Sequence, residues 1–298
     1  MSQTLEQQLI KQNPHIWSDV LETLKECVSQ KRLDQLSTIR KKALLEYPEN
    51  LTHGKVASEA FPLDSKQIHA KLTLYAIDQF TLAMTGVADG RRPALKDKLI
   101  LSWLNSWFLQ RGQCPSMVQF DGIWKRLVSP AWASGQLQRL GFWSVPTKEF
   151  VERIAKHIGS RPCLEIGAGK GLLAAGLLKR CHDLTVVDDG SWEGGRSPVK
   201  SMRKKIVLLD AIRALKIYSP EVVIASWPPP GNSFEKDIFA TESVQLYIVI
   251  NSKHQFASGN WDSYRQQKSF DCSISEPLNQ LLRPVEAEQT VMIFRRKN

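Results

Sequence analysis

No two cysteines of this chain form a C-x-x-C pair, and no apolar stretch approaches the length needed to cross a bilayer. Cys27, Cys114, Cys163, Cys181 and Cys272 are odd in number and scattered, which argues against a disulfide framework or a thiolate zinc site. His15, His53, His69, His157, His182 and His254 are equally dispersed and offer no ligand spacing, so no structural metal is expected. The opening MSQTLEQQLIKQN has no apolar core of the signal-peptide kind, which makes the cytoplasm the expected location. Internal repeats and low-complexity tracts are also missing.

What remains is a chain of 298 residues, 42% hydrophobic, with material for one large domain or two ordinary ones. Its formal charge of +10 suits an anionic partner. The basic residues are nonetheless spread along the chain, and the densest runs are short: Arg40 to Lys42, and Arg203 to Lys205. Nucleic acid is therefore the runner-up partner, because an electrostatic footprint requires one face.

Hydrophobic periodicity divides the chain near residue 145. Upstream, Trp17 to Tyr47, Ser65 to Val87 and Pro93 to Gln110 carry apolar residues at helical spacing, punctuated by Pro48, Pro62 and the turn ADGRRP. Downstream, the runs CLEI, LTVV, KIVLL, EVVIAS and LYIVIN alternate with helical stretches, the order of a doubly wound, mostly parallel sheet. The expected architecture is α/β from 146 to 298, preceded by a helical domain from 1 to 145 that serves as lid or substrate-recognition element. Pro146 and Thr147 suit the start of a helix with Phe150, Ile154 and Ile158 on its apolar face, and Gly159 suits its end.

The segment CLEIGAGKG, residues 163 to 171, carries the first chemistry. A short buried strand ends in glycines at 167, 169 and 171, and LLAAGLLKR follows as a helix. Bare peptide groups close to a helix N-terminus can cradle a nucleotide-like ligand, although a plain strand-to-helix turn leaves a similar signature. The dinucleotide fingerprint places its third glycine three positions after the second; here that position is Leu172, and the third glycine is Gly171.

The next strands extend the pattern. LTVV runs into Asp188 and Asp189, and an acid at that sheet edge can accept hydrogen bonds from ribose hydroxyls. KIVLL runs into Asp210 and Ala211, and EVVIAS into Trp227, Pro228, Pro229 and Pro230. In this order the motifs resemble those of the class I S-adenosylmethionine-dependent methyltransferases, over the whole stretch from about 146 to 298. The resemblance implies a seven-stranded sheet ending in an antiparallel pair, FDCSI with TVMIFRR, and S-adenosyl-L-methionine as cofactor. It implies that Glu165, Gly167, Gly169 and Gly171 lie under the methionine part, that Asp188 binds the ribose, and that Asp210 and Ala211 meet the adenine.

The proline turn departs from the family pattern for amine acceptors, in which a polar residue precedes Pro-Pro and an aromatic residue follows. Ser226 stands before an inserted tryptophan, or Trp227 fills the polar slot itself, and Pro230 takes the aromatic place. Ser226, Trp227, Pro228 and Pro229 are the candidate catalytic residues, with a rigid pocket wall as the alternative reading. Trp103, Trp107, Trp124, Trp132 and Trp143 crowd one stretch; tryptophans at helical spacing are more often core than binding box. Trp143 and Ser144, just upstream of the glycine motif, are the candidate acceptor contacts. A small-molecule methyltransferase acting on an O or N acceptor leads. A nucleic-acid or protein methyltransferase and a non-catalytic cofactor-binding or partner-binding module follow.

Overall fold

A computed structural model of the chain describes residues 5–29, 33–47, 63–82, 94–191, 197–255 and 257–297. The chain divides into two compact units, Met1–Leu82 with His254–Ala257, and Ala83–Lys253 with Ser258–Asn298. The first unit contains α1 (Leu5–Gln12), α2 (Pro14–Ser29), α3 (Leu33–Glu46) and α4 (Ser65–Leu82). Ile16, Val20 and Leu24 recur at helical spacing on α2 and bury against Leu36 of α3 and Leu72 and Ile77 of α4. The expected helical stretch from Trp17 to Tyr47 is thus two helices. Pro48, Pro62 and the ADGRRP turn lie outside the described residues.

The second unit runs α5 (Leu95–Trp107), α6 (Met117–Trp124), α7 (Pro130–Arg139), β1 (Val145–Pro146), α8 (Lys148–Ile158), β2 (Cys163–Ile166), α9 (Leu172–Leu177), β3 (Leu184–Asp188) and β4 (Val207–Leu208). It continues with α10 (Ala211–Tyr218), β5 (Val222–Ser226), α11 (Phe234–Ala240), β6 (Leu246–Ser252), α12 (Trp261–Gln266), β7 (Phe270–Ile274), α13 (Glu276–Asn279), β8 (Leu282–Arg283) and β9 (Gln289–Arg296).

Seven of these strands form one sheet in the order β4-β3-β2-β5-β6-β9-β7. The first five are mutually parallel, and β9 inserts antiparallel between β6 and β7. Counted within the sheet alone the order is 3-2-1-4-5-7-6, the doubly wound sheet of the class I methyltransferase fold, with the terminal antiparallel pair expected from FDCSI and TVMIFRR. Central strands are apolar because helices cover both faces: Val222 to Ala225 are fully buried. The run KIVLL contributes only Val207 and Leu208, which are 43% and 78% exposed on the edge strand. Helix α8 forms as its sequence implies. The Thr147 hydroxyl accepts the Phe150 N–H at 3.1 Å, Gly159 closes the helix at φ 65°, and Phe150, Val151, Ile154 and Ile158 bury against the sheet.

The boundary expected at 145/146 falls inside the second unit; the units divide at 82/83. Leu101, Leu104, Phe120, Leu137 and Phe142 share one buried cluster with Leu172 and Ala175 of α9 and Val186 of β3. Polar ties reinforce this packing. Buried Asp97 accepts the N–H groups of Val128 and Ser129 at 2.9 and 3.0 Å. Arg283 grips Asp121 with two hydrogen bonds at 2.6 and 2.9 Å, and the Trp124 indole N–H reaches Glu286 at 3.1 Å. Helical spacing identifies an amphipathic helix but not the surface it buries against, which is why α5 to α7 read as a separate domain in sequence. The tryptophans divide likewise: Trp124 is in the core, whereas Trp103 and Trp107 are 45% and 52% exposed.

Candidate functional site

The sheet order reverses between β2 and β5, so the crevice outside their carboxyl ends is the natural ligand position of this architecture. The glycine loop leaves β2 there. Gly167, Gly169 and Gly171 all adopt positive φ, at 64°, 53° and 71°. A Cβ on Gly169 would meet nothing within 4 Å, whereas one on Gly171 would stand 2.9 Å from Ile206 Cδ1. The first marks an open cradle, and the second marks close packing of the loop against its support.

Glu165 precedes the loop by two residues and is 1% exposed. Its Oε2 is buried with no hydrogen-bond partner among the described residues. Burial pushes its carboxyl up to about 8, and the charge of Asp188 acts in the same direction. A buried, unpartnered carboxyl oxygen is costly unless a partner arrives. Asp188 closes β3, and its two oxygens accept the N–H groups of Gly169 at 2.7 Å and Gly190 at 2.8 Å. The acid is thereby pinned against the glycine loop, with further lone pairs on each oxygen.

Asp210 stands two residues beyond Leu208, the register partner of Asp188. It is the N-cap of α10: Oδ1 accepts the Arg213 N–H at 2.9 Å, and Oδ2 lies 3.8 Å from Arg213 Nε. Ala211 opens that helix. Aspartate is a favoured N-cap residue whatever side chain stands three positions on, so this acid has a structural task whatever else it binds.

The proline turn follows the end of β5. Ser226 is the last strand residue, paired with Ile250. Trp227 follows in the left-handed region at φ 54°, a conformation that costs a non-glycine residue about 1–2 kcal/mol. Its indole N–H donates to Gln289 Oε1 at 3.2 Å, and the Gln289 amide donates to the carbonyls of Arg283 and Pro284 at 3.1 and 3.3 Å. The Trp227 ring packs on Trp143, with centroids 5.3 Å apart and planes tilted by 33°. Trp143 lies two residues before β1, which pairs with β8, and the Oγ of neighbouring Ser144 is buried with no partner among the described residues.

The prolines face other duties. The Pro228 carbonyl accepts the Gly259 N–H at 2.9 Å, and the Pro229 carbonyl accepts Asn232 Nδ2 at 2.8 Å. Behind the turn lies a group not singled out from sequence. Glu235 of α11 is 0% exposed and accepts hydrogen bonds from Asn232 Nδ2 at 2.8 Å, Asn260 N–H at 2.5 Å, Tyr264 OH at 2.5 Å and Tyr247 OH. Burial raises its carboxyl above the ordinary value while these donors oppose the shift. It fastens the proline turn to the loop before α12. The signal was present: Glu235 shares a helical stripe with buried Ile238 and Phe239, an acid on an apolar face.

No family model matches the chain, and no curated protein matches it in sequence. Solved structures with a related fold include a 23S rRNA methyltransferase, ErmE, at 20% identity and TM-score 0.34, covering 50% of this chain and 68% of that one. The N-methyltransferase NodS from Bradyrhizobium japonicum WM9, in complex with S-adenosyl-L-homocysteine, is 11% identical at TM-score 0.38, covering 51% and 86%. An rRNA methylase from Streptococcus thermophilus is 12% identical at TM-score 0.35, covering 51% and 94%. These likenesses are distant.

Proposed function

We propose that the protein is an S-adenosylmethionine-dependent methyltransferase, and that the second unit binds the cofactor across the glycine loop. One observation carries the reading: Glu165, fully buried two residues before an open glycine loop at the switch point of a 3-2-1-4-5-7-6 sheet, keeps a carboxyl oxygen with no partner among the described residues. The residues present fit that cofactor. Glu165 and the loop N–H groups would hold the methionine moiety, Asp188 the ribose hydroxyls, and Asp210 Oδ2 with the Ala211 backbone the adenine edge. When bound, the cofactor supplies a methyl group on a sulfonium, which passes to an acceptor lone pair as the carbon–sulfur bond breaks and its electrons return to sulfur.

The chain's own contribution is alignment. Orienting an acceptor in line with an activated methyl group supplies much of the acceleration, and a general base matters only where a proton must leave early. In this reading Ser226, at the carboxyl end of β5, would orient the acceptor, and Pro228 and Pro229 would wall the pocket, with Glu235 behind them. A small molecule bearing an O or N nucleophile is the leading acceptor. The +10 charge favours nucleic acid as the second reading.

Incubation with S-adenosylmethionine tritiated on the methyl group, in the presence of a cell extract fractionated afterwards, tests this. Label in the small-molecule fraction supports the first reading and label in RNA or DNA the second. No label in any fraction, with cofactor binding intact, contradicts catalysis.

A further inference from the structure

Cations that are scattered in sequence act on a polyanion only where the fold brings several of them together. One such group forms in the second unit. Gly112, at φ 71°, ends a 3-10 turn, Leu109–Arg111, that follows α5. A Cβ there would collide with Ser201 Oγ and stand 3.0 Å from Val199 Cγ2, so this turn packs directly on a second 3-10 turn, Lys200–Met202. Leu109, Val199 and Met202 share one buried cluster at the junction. Arg111 and Lys200, each one residue from that contact, are therefore neighbours, and Arg203, Lys204 and Lys205 follow at once; all five are exposed.

No exposed acid on these two segments offsets the charge. The one acid between 94 and 113 is Asp97, buried and accepting the Val128 and Ser129 N–H groups, and 197–209 contains none. None of the five cations pairs with a carboxylate among the described residues, whereas Arg40, Arg180 and Arg283 each do. Aromatic rings adjoin them. Trp103 and Trp107 stand four apart on α5, both exposed, and the Arg111 guanidinium lies 4.6 Å from the Trp107 ring centroid. Stacking uses the face of a guanidinium and leaves its N–H groups for phosphate oxygens. The second turn also backs the glycine loop: the Val199 N–H donates to the Lys170 carbonyl at 2.9 Å, and a Cβ on Gly171 would stand 3.1 Å from Met202 Cγ.

We infer that this patch binds single-stranded nucleic acid, with phosphates at Arg111, Lys200 and the run 203–205 and an unpaired base against Trp107. Cations that track a backbone beside rings that stack bases are the combination such a ligand requires. The site lies outside the residues assigned to cofactor or acceptor and goes beyond the methyl-transfer reading. Its place beside the glycine loop joins it to the second acceptor reading above, yet neither depends on the other.

The test is fluorescence anisotropy of a labelled single-stranded RNA of about 12 nucleotides, titrated with the whole chain in the absence of cofactor at several salt concentrations. Arg203→Gln, Lys204→Gln and Lys205→Gln combined are expected to shallow the slope of log affinity against log salt by about 2, since each phosphate contact on a single strand contributes about 0.7. A matched control, Lys148→Gln, Arg153→Gln and Lys156→Gln, removes three exposed cations of α8 and should leave the slope nearly unchanged. Trp107→Leu should weaken binding about tenfold at an unchanged slope, and Trp107→Phe, which keeps a ring, should recover most of it. Urea midpoints near the wild-type value establish that the variants fold. No binding at low salt, an equal loss of slope in both triple variants, or full affinity in Trp107→Leu overturns the inference. Capture by phosphatidylserine vesicles without RNA binding overturns it too and makes the patch a lipid-facing one. Because the titration contains no cofactor, a failure to take up S-adenosylhomocysteine would remove the methyl-transfer reading and leave this one standing.

Discussion

Asp188 Oδ2 accepts the N–H of Gly169 at 2.7 Å, joining the acid at the end of one strand to the middle of the loop that leaves its neighbour. The same carboxylate is thus both the brace of the glycine cradle and the proposed ribose ligand. Asp188→Ala is expected to lower S-adenosylhomocysteine affinity by about tenfold or more, since a lost hydrogen bond to a charged group is worth about 1.5–3 kcal/mol. Calorimetry on the purified variant reads this directly, and unchanged affinity would show that the acid braces the loop without meeting the ligand.

The glycine loop, the acid at 188 and the five parallel strands were legible in sequence from local signals, namely short apolar runs, clustered glycines and acids at run ends, whereas the antiparallel pair FDCSI with TVMIFRR came from the family resemblance. Trp143 was legible as a neighbour of the site only through its position before the motif. Glu235 was overlooked, since its four partners come from segments as far as 29 residues away. The place of α5 to α7 was misread for the same reason: the partners of Asp121 and Trp124, Arg283 and Glu286, lie 162 residues on. Local periodicity carries no information about such pairings.

Glu165 gives the fold a pH dependence. Its carboxyl sits at about 8 in the folded chain against an ordinary value of 4.5, so the folded state retains a proton that the unfolded chain releases. The stabilising contribution is complete below the ordinary value and disappears as the pH rises through the folded one, with a slope of about 1.4 kcal/mol per pH unit across the window. Glu235 is raised as well, so the variant isolates the effect: Glu165→Gln should flatten part of the decline. Urea midpoints across the window check it, and an identical slope in the variant would assign the decline to other groups.

Because α5 to α7 share a buried cluster with α9 and β3, residues 83–298 should unfold cooperatively as an isolated fragment, whereas 146–298 should not. Removing the first 145 residues strips the cover from Leu172, Ala175 and Val186 and leaves Arg283 without Asp121. Circular dichroism during urea titration distinguishes the two fragments. A cooperative transition in the shorter one would restore the boundary at 145/146.

Glu235→Gln replaces an acceptor of four hydrogen bonds by a group whose NH2 faces donors. The expected loss of stability is about 1–3 kcal/mol, the cost of leaving buried donors unsatisfied. Because the network lies behind the proline turn, S-adenosylhomocysteine affinity should change little. An unaltered urea midpoint would show that water replaces the lost contacts.

The most direct test of the cofactor reading is calorimetric titration of the wild-type protein with S-adenosylhomocysteine, with NAD run under the same conditions. The loop spacing, the terminal antiparallel pair and the Glu165 oxygen that has no partner among the described residues predict saturable binding of S-adenosylhomocysteine and no heat from NAD. Binding of NAD in its place, or no uptake of S-adenosylhomocysteine, would contradict it.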